Sequence, residues 1–184
     1  TCALPIFLIG SPRYDDLVKA KTIDEGFVLA KFGVGVGYQK GAPKPRIDTP
    51  EALKATLLAA KSLVGLPFDN GSIGTETMIG FRKLGIGDQM IPKYKFVLNG
   101  ASVVQSIAKG EAELGFSVFA DLAGSTEIAY AGPYPSEVQT YVDVHASSRI
   151  GGPSEAAGRE FLQFVRKNAT PDLLRASWLL PGGN

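Results

Sequence analysis

Two rhythms of apolar residues take turns along the chain. Short β-branched or aromatic runs, namely IFLIG, GFVLAKFGVGVGY, SLVGLPF, YKFVL, ELGFSVF, EIAYAG and EVQTYVDVHAS, have the lengths and alternation of strands. Between them lie stretches whose apolar residues recur every three or four positions: SPRYDDLVKAK, DTPEALKATLLAAK, TETMIGFRKLG, VVQSIAKG, PSEAAGREFLQFVRKN and TPDLLRASW. These are helical periods. The alternation predicts an α/β fold with largely parallel sheets.

Local chemistry supports the helix ends. Ser11 precedes Pro12, Asp48 and Thr49 precede Pro50 and Glu51, and Thr170 precedes Pro171, each a hydroxyl or carboxylate cap followed by a residue with a pre-set φ. Gly85 and Gly110 stand where a left-handed cap would end a helix.

Charge and composition narrow the function. Lys and Arg number 19 against 18 Asp and Glu, a formal charge of +1, which supplies no field for a nucleic-acid backbone or an anionic membrane. No nucleic-acid partner is expected. No run approaches the roughly 20 apolar residues of a spanning helix. One cysteine and one histidine exclude zinc clusters, disulfide frameworks and histidine-rich metal sites, and no cofactor is implied. His145, in the alternating VDVHAS, reads as a strand residue rather than a catalyst.

Several motifs offer binding chemistry. GVGVG at 33–37 lacks the dinucleotide spacing and is followed by KGAPKP instead of a helix, so a bent or close-packed strand is expected over a phosphate loop. NGSIGTE at 70–76 brings glycines, Ser72 and Thr75 to a helix start, either as an anion site or as a plain cap. NGAS at 99–102 repeats the arrangement with Asn99 and Ser102. Adjacent loops of this kind in a parallel sheet share the carboxyl edge where α/β sheets bind ligands, and Ser117 and Val118 should reach that edge too. Lys40 and Lys44 read as solvated loop residues, and Tyr130, Tyr134 and Tyr141 as packing. No nucleophile elbow, P-loop or close carboxylate pair occurs, so an enzyme is not expected.

Several stretches, in order, carry a family resemblance: VGVGYQKGAPKPRIDTPEALKATLLAAKSLV, RKLGI, KGEAELGF and AGPYPSEVQTY. From about Leu8 onward the chain resembles the molybdate-type periplasmic solute-binding proteins. The resemblance implies a type II periplasmic-binding-protein fold, with two lobes of mixed, mostly parallel sheets, a ligand cleft between them, and delivery to the membrane subunits of an ABC transporter. Residues 1–31 would be a remnant of the first lobe, 32–132 the second lobe, and 133–184 the return crossover and C-terminal helices of the first. It also implies an oxyanion held by hydroxyls and backbone amides, with contacts at Ser72, Ile73, Gly74, Gly100, Ala101 and Val118. Thr75 and Asn99 stand beside these, and Ser11 is a further ligand-binding candidate, while the family's first-lobe serines lie on an amino-terminal third that this chain lacks. Val118 falls where the family has a tyrosine, which puts molybdate itself in doubt and makes Ser117 the substitute donor. The expected function is capture of a small oxyanion or other solute in the periplasm; the alternative is the ligand-sensing domain of a transcription regulator with the same fold.

The opening TCALPIFLIG is too short for a signal peptide and has no basic start. IFLIG reads as a strand. TCALPI back-translates into a string resembling the end of a common sequencing adapter, so residues 1–6, Cys2 included, are expected to be foreign. The first lobe is expected to lack about 50 to 70 residues, enough for two βα units, and its open sheet edge to favour oligomers.

Overall fold

The computed structural model describes residues 6–11, 13–69 and 73–182. The chain divides into two compact units, one of Thr1–Phe32 with Val142–Asn184 and one of Gly33–Tyr141. The second unit runs to Tyr141, and Tyr134, Val138 and Gln139 near its end are buried. The Tyr134 N–H donates to Val34 O at 3.2 Å and to Gln139 Oε1 at 3.1 Å, which ties this turn to the strand beneath it.

In the first unit, β1 (Ile6–Gly10) pairs antiparallel with β7 (Tyr141–Ser148), Ile6 opposite Ser148. The first half of β2 (Phe27–Tyr38) pairs with a short β8 (Leu180–Pro181) that the apolar pattern did not reveal. Around them lie α1 (Arg13–Lys19), α7 (Glu155–Asn168) and α8 (Pro171–Ala176), the last capped by Thr170 Oγ1, which accepts from Leu173 N at 3.3 Å. His145 lies on β7 as expected, with its ring stacked on Tyr14 at 3.8 Å.

Asp24 holds the turn between α1 and β2 to the end of β7. Its carboxylate accepts from Ser148 N at 2.8 Å, Ser148 Oγ at 2.7 Å and Ser147 Oγ at 3.0 Å, and Arg159 Nε stands 3.7 Å away. Burial opposes ionisation, but the serine bonds and the Arg159 charge outweigh it and hold the carboxyl below its ordinary value. A depressed folded pKa means that the stabilisation is fully present above the unfolded value near 3.9 and is lost as pH falls through the folded one. Asp24→Asn should therefore cost about 2 kcal/mol at neutral pH. Urea midpoints for wild type and variant should stay apart from pH 7 to about pH 4 and begin to approach each other only below it.

In the second unit the rest of β2 lies antiparallel to both β5 (Leu114–Val118) and β6 (Ala129–Pro133). β3 (Leu63–Gly65) runs parallel to β5 on one side and to β4 (Tyr94–Phe96) on the other. The sheets are thus mixed, with parallel pairing at β4–β3–β5, where strand and helix alternate most regularly. β3 is buried along its whole length, which its apolar run LVG permits.

Helices cover both faces of this sheet. α3 (Ile73–Lys83) lies on the aromatic side, where Phe68, Phe81, Tyr94, Phe116 and Tyr134 pack ring to ring. α5 (Gly100–Ala108) lies on the aliphatic side, and Val103, Val104 and Ile107 join Val64, Ala112, Leu122 and Ile128 in one buried cluster. Each fully buried side chain of this size is worth about 1.5–3 kcal/mol. α2 (Pro50–Ala59) starts as expected, with Thr49 Oγ1 accepting from Ala52 N at 3.2 Å. Its last carbonyls are met by Lys93 Nζ, which donates to Leu57, Leu58 and Ala60 at 2.7–3.0 Å and complements the helix dipole. α3 ends where Gly85 takes φ 69° and Ile86 N reaches back to Phe81 O.

Three short elements escape the sequence pattern: α4 (Gly87–Met90), a 3₁₀ turn at Ile91–Lys93, and α6 (Phe119–Ala123). α6 explains GVGVG. A Cβ on Gly33 would stand 2.9 Å from Phe119, one on Gly35 2.9 Å from Tyr130 and 3.2 Å from Leu122, and one on Gly37 about 3 Å from Ile128, Ile107 and Leu122. The glycines form one face of β2 on which α6 and its neighbours pack, and a bulge at Val36/Gly37 bends the strand. It is a packing stripe and not a phosphate loop.

Candidate ligand site at a carboxyl edge of the second unit

Because β3, β4 and β5 are parallel and in register, with Gly65 opposite both Phe96 and Phe116, their carboxyl ends share one edge. Each strand then leads to a helix start at that edge: α3 at Ile73, α5 at Gly100 and α6 at Phe119. The first N–H groups of a helix have no intrahelical acceptor and carry the positive end of its dipole. Helix starts at such an edge favour electron-rich ligand atoms.

At α5 the cap is complete. Asn99 Oδ1 accepts from Ser102 N at 2.9 Å and from Ser102 Oγ at 3.0 Å, and Val103 N donates to Asn99 O at 3.2 Å. Among the described residues, the Gly100 and Ala101 N–H groups have no such partner. At α3, Ile73 and Gly74 are buried, and Gly74 lies so close to the preceding loop that a Cβ would stand 2.1 Å from Pro67 O. Thr75 Oγ1 donates its one hydrogen to Phe68 O at 2.9 Å, which binds that loop to the helix. Ser72 lies outside the described residues.

At β5, Ser117 is 1% exposed and its hydroxyl donates to Asp121 Oδ2 at 2.5 Å. The Asp121 carboxylate also lies over the first turn of α5, since a Cβ on Gly100 would stand 1.8 Å from Oδ2 and 2.8 Å from Ser117 Oγ. Gly100 is glycine because that space is taken. Val118 is half-buried at the strand's end. Ser11 belongs to the first unit, where its hydroxyl is bonded to His145 Nε2 at 3.0 Å and its N–H to Asp143 O at 3.2 Å.

Ile73, Gly74, Thr75, Asn99, Gly100, Ala101, Ser117 and Val118 thus lie at strand ends and helix starts along one edge, and among them Gly100 and Ser117 meet a further residue, Asp121. Sequence reading passed over Asp121 because α6 follows β5 without a loop. The signal was the four-residue step from Ser117 to Asp121 with Phe119 and Leu122 apolar, one turn of helix. Beneath the edge, burial raises the Tyr94 and Tyr134 phenols, so both stay neutral and serve as packing. Among the described residues no group of three His, Cys, Asp or Glu side chains gathers to hold a metal, and no helix is long and apolar enough to cross a membrane.

Comparison with known proteins defines the class. Bacterial extracellular solute-binding proteins, as a family, match residues 3–177, and the chain belongs to that family. The fold is that of the periplasmic binding proteins. The Azotobacter vinelandii periplasmic molybdate-binding protein is 14% identical with a TM-score of 0.75, over 97% of this chain and 79% of that one. L-phospholactate-bound PEB3 is 16% identical with a TM-score of 0.70, over 96% and 79%. At these identities the likeness concerns the fold alone. Among curated proteins, the aconitate isomerase of a Pseudomonas species is 24% identical over 179 residues, 96% of this chain; the chain spans 66% of that relative's length.

Proposed function

We propose that the chain is the substrate-binding component of an ABC uptake transporter, working in the periplasm and capturing a small anion at the carboxyl edge of β3, β4 and β5. The observation that carries this reading is the placement of the α3 and α5 starts along one sheet edge, with the Gly100 and Ala101 N–H groups at the first turn of α5. Anions in the names of two structural neighbours, molybdate and L-phospholactate, support the class of ligand. Membership of an extracellular family supports transport over the sensing half of a transcription regulator. In this reading the membrane subunits of the transporter are the partner.

Molybdate, tungstate, sulfate and phosphate should be titrated calorimetrically, with thermal unfolding alongside. At a hundred times its dissociation constant a bound ligand adds about 2.7 kcal/mol, so the unfolding midpoint should rise by about 5–10 °C for a chain of this size. Silence with all four anions would sink the anion reading.

A second reading follows from the 24% identity with aconitate isomerase over almost the whole chain. Here the same edge would hold a tricarboxylate, with Asp121 as a candidate proton acceptor. Incubation with cis- and trans-aconitate, followed by proton NMR, separates the two readings: interconversion supports the isomerase, and saturable binding without conversion supports the carrier.

A further inference from the structure

We infer that Asp121 is the specificity-determining residue of this edge: its carboxylate stands against Gly100, beside the first N–H groups of α5, so the ligand must present a hydrogen to it. This rests on the anion reading of the same site and names the kind of anion. A protonated oxyanion or a hydroxylated acid is accepted, and a fully ionised oxyanion is refused.

The inference is built from three side-chain positions. Asp121 Oδ2 lies over Gly100, where any Cβ would collide with it, and it accepts the single hydrogen of the buried Ser117 hydroxyl at 2.5 Å. An ionised carboxylate offers acceptor sites and no donors. Ser117 has given up its hydrogen, so it cannot serve the ligand as a donor. What remains at this corner, beside the α5 N–H groups, is a negative charge with unused lone pairs. Two like charges about 5 Å apart repel enough to weaken binding by between roughly fourfold and three-hundredfold, depending on how far water screens them. An anion that keeps one proton turns the repulsion into a charge-assisted hydrogen bond.

The alternative is that Asp121 only offsets the α5 dipole. In that case its loss would lower stability and leave the ratio of affinities for different anions unchanged. Sulfate, with no proton at neutral pH, and phosphate, which keeps at least one, are therefore the two probes. Calorimetry of the full chain at pH 7 should show phosphate bound at least about tenfold more tightly than sulfate. Asp121→Asn keeps an acceptor for Ser117 and removes the charge, so sulfate should tighten severalfold and the ratio should fall towards one. Circular dichroism checks the fold, and Asp121→Ser replaces the amide variant if that does not fold. Equal wild-type affinity for sulfate and phosphate overturns the inference, as does an unchanged ratio in a folded variant that still binds. Failure of wild type and variant alike to bind either anion refutes the anion reading itself and removes this inference with it.

Discussion

Phe116→Ala is expected to destabilise the protein by about 3–5 kcal/mol, the range for removing a large aromatic ring from a core that cannot collapse. Phe116 is fully buried on β5, opposite Gly65 of β3 and Val36 of β2. Its ring is met by Phe81 at 5.3 Å edge-on, Tyr94 at 6.0 Å stacked and Tyr134 at 6.1 Å edge-on. Those rings come from α3, β4 and the turn after β6, so no single movement fills the space left behind. For a chain of this size the loss amounts to a fall of about 10 °C in the unfolding midpoint. A loss under 1 kcal/mol in urea titration would show that the aromatic layer is not the centre of the second unit.

Gly74→Ala should cost about 3 kcal/mol, at the upper end for overpacking, because the added methyl meets main chain. The atoms in its way are Pro67 O at 2.1 Å and Leu66 O at 2.8 Å, neither of which can turn aside as a side chain would. The strain falls on the start of α3 and on the Thr75–Phe68 bond that holds the loop to it. Anion affinity should therefore drop together with stability. Gly152→Ala is the control: its nearest neighbour is Arg149 Cδ at 3.8 Å, and its change should stay within about 0.5 kcal/mol. Comparable losses at the two positions would remove the argument from close approach.

Legibility in the sequence follows the range of the interaction concerned. Caps at Thr49, Asn99 and Thr170, and the left-handed endings at Gly85 and Gly110, depend on residues within one turn and can be read directly. Alternating strand and helix disclosed the parallel core at β4–β3–β5, yet it could not show that β2 runs against β5, since pairing direction is set by chain segments far apart. α6 was hidden because five residues give too little periodicity to rise above the strand before them. At the candidate site, the helix starts were legible and the carboxylate beside one of them was not: Gly100 and Asp121 meet only after β5 has been laid between them. Ser11 looked like a free cap, but its hydroxyl is bonded to His145 on β7, a contact no local window contains.

The glycine stripe on β2 gives the site its charge at a distance. Three absent side chains let α6 sit flush against the strand, and only a flush α6 carries Asp121 over the start of α5. A single alanine at Gly35 would act as a shim under that helix, lifting its carboxylate away from Gly100 without touching any atom of the ligand site. If Asp121 sets ligand preference as inferred, that preference is tuned from the floor of the sheet, at residues that no inspection of the edge would single out.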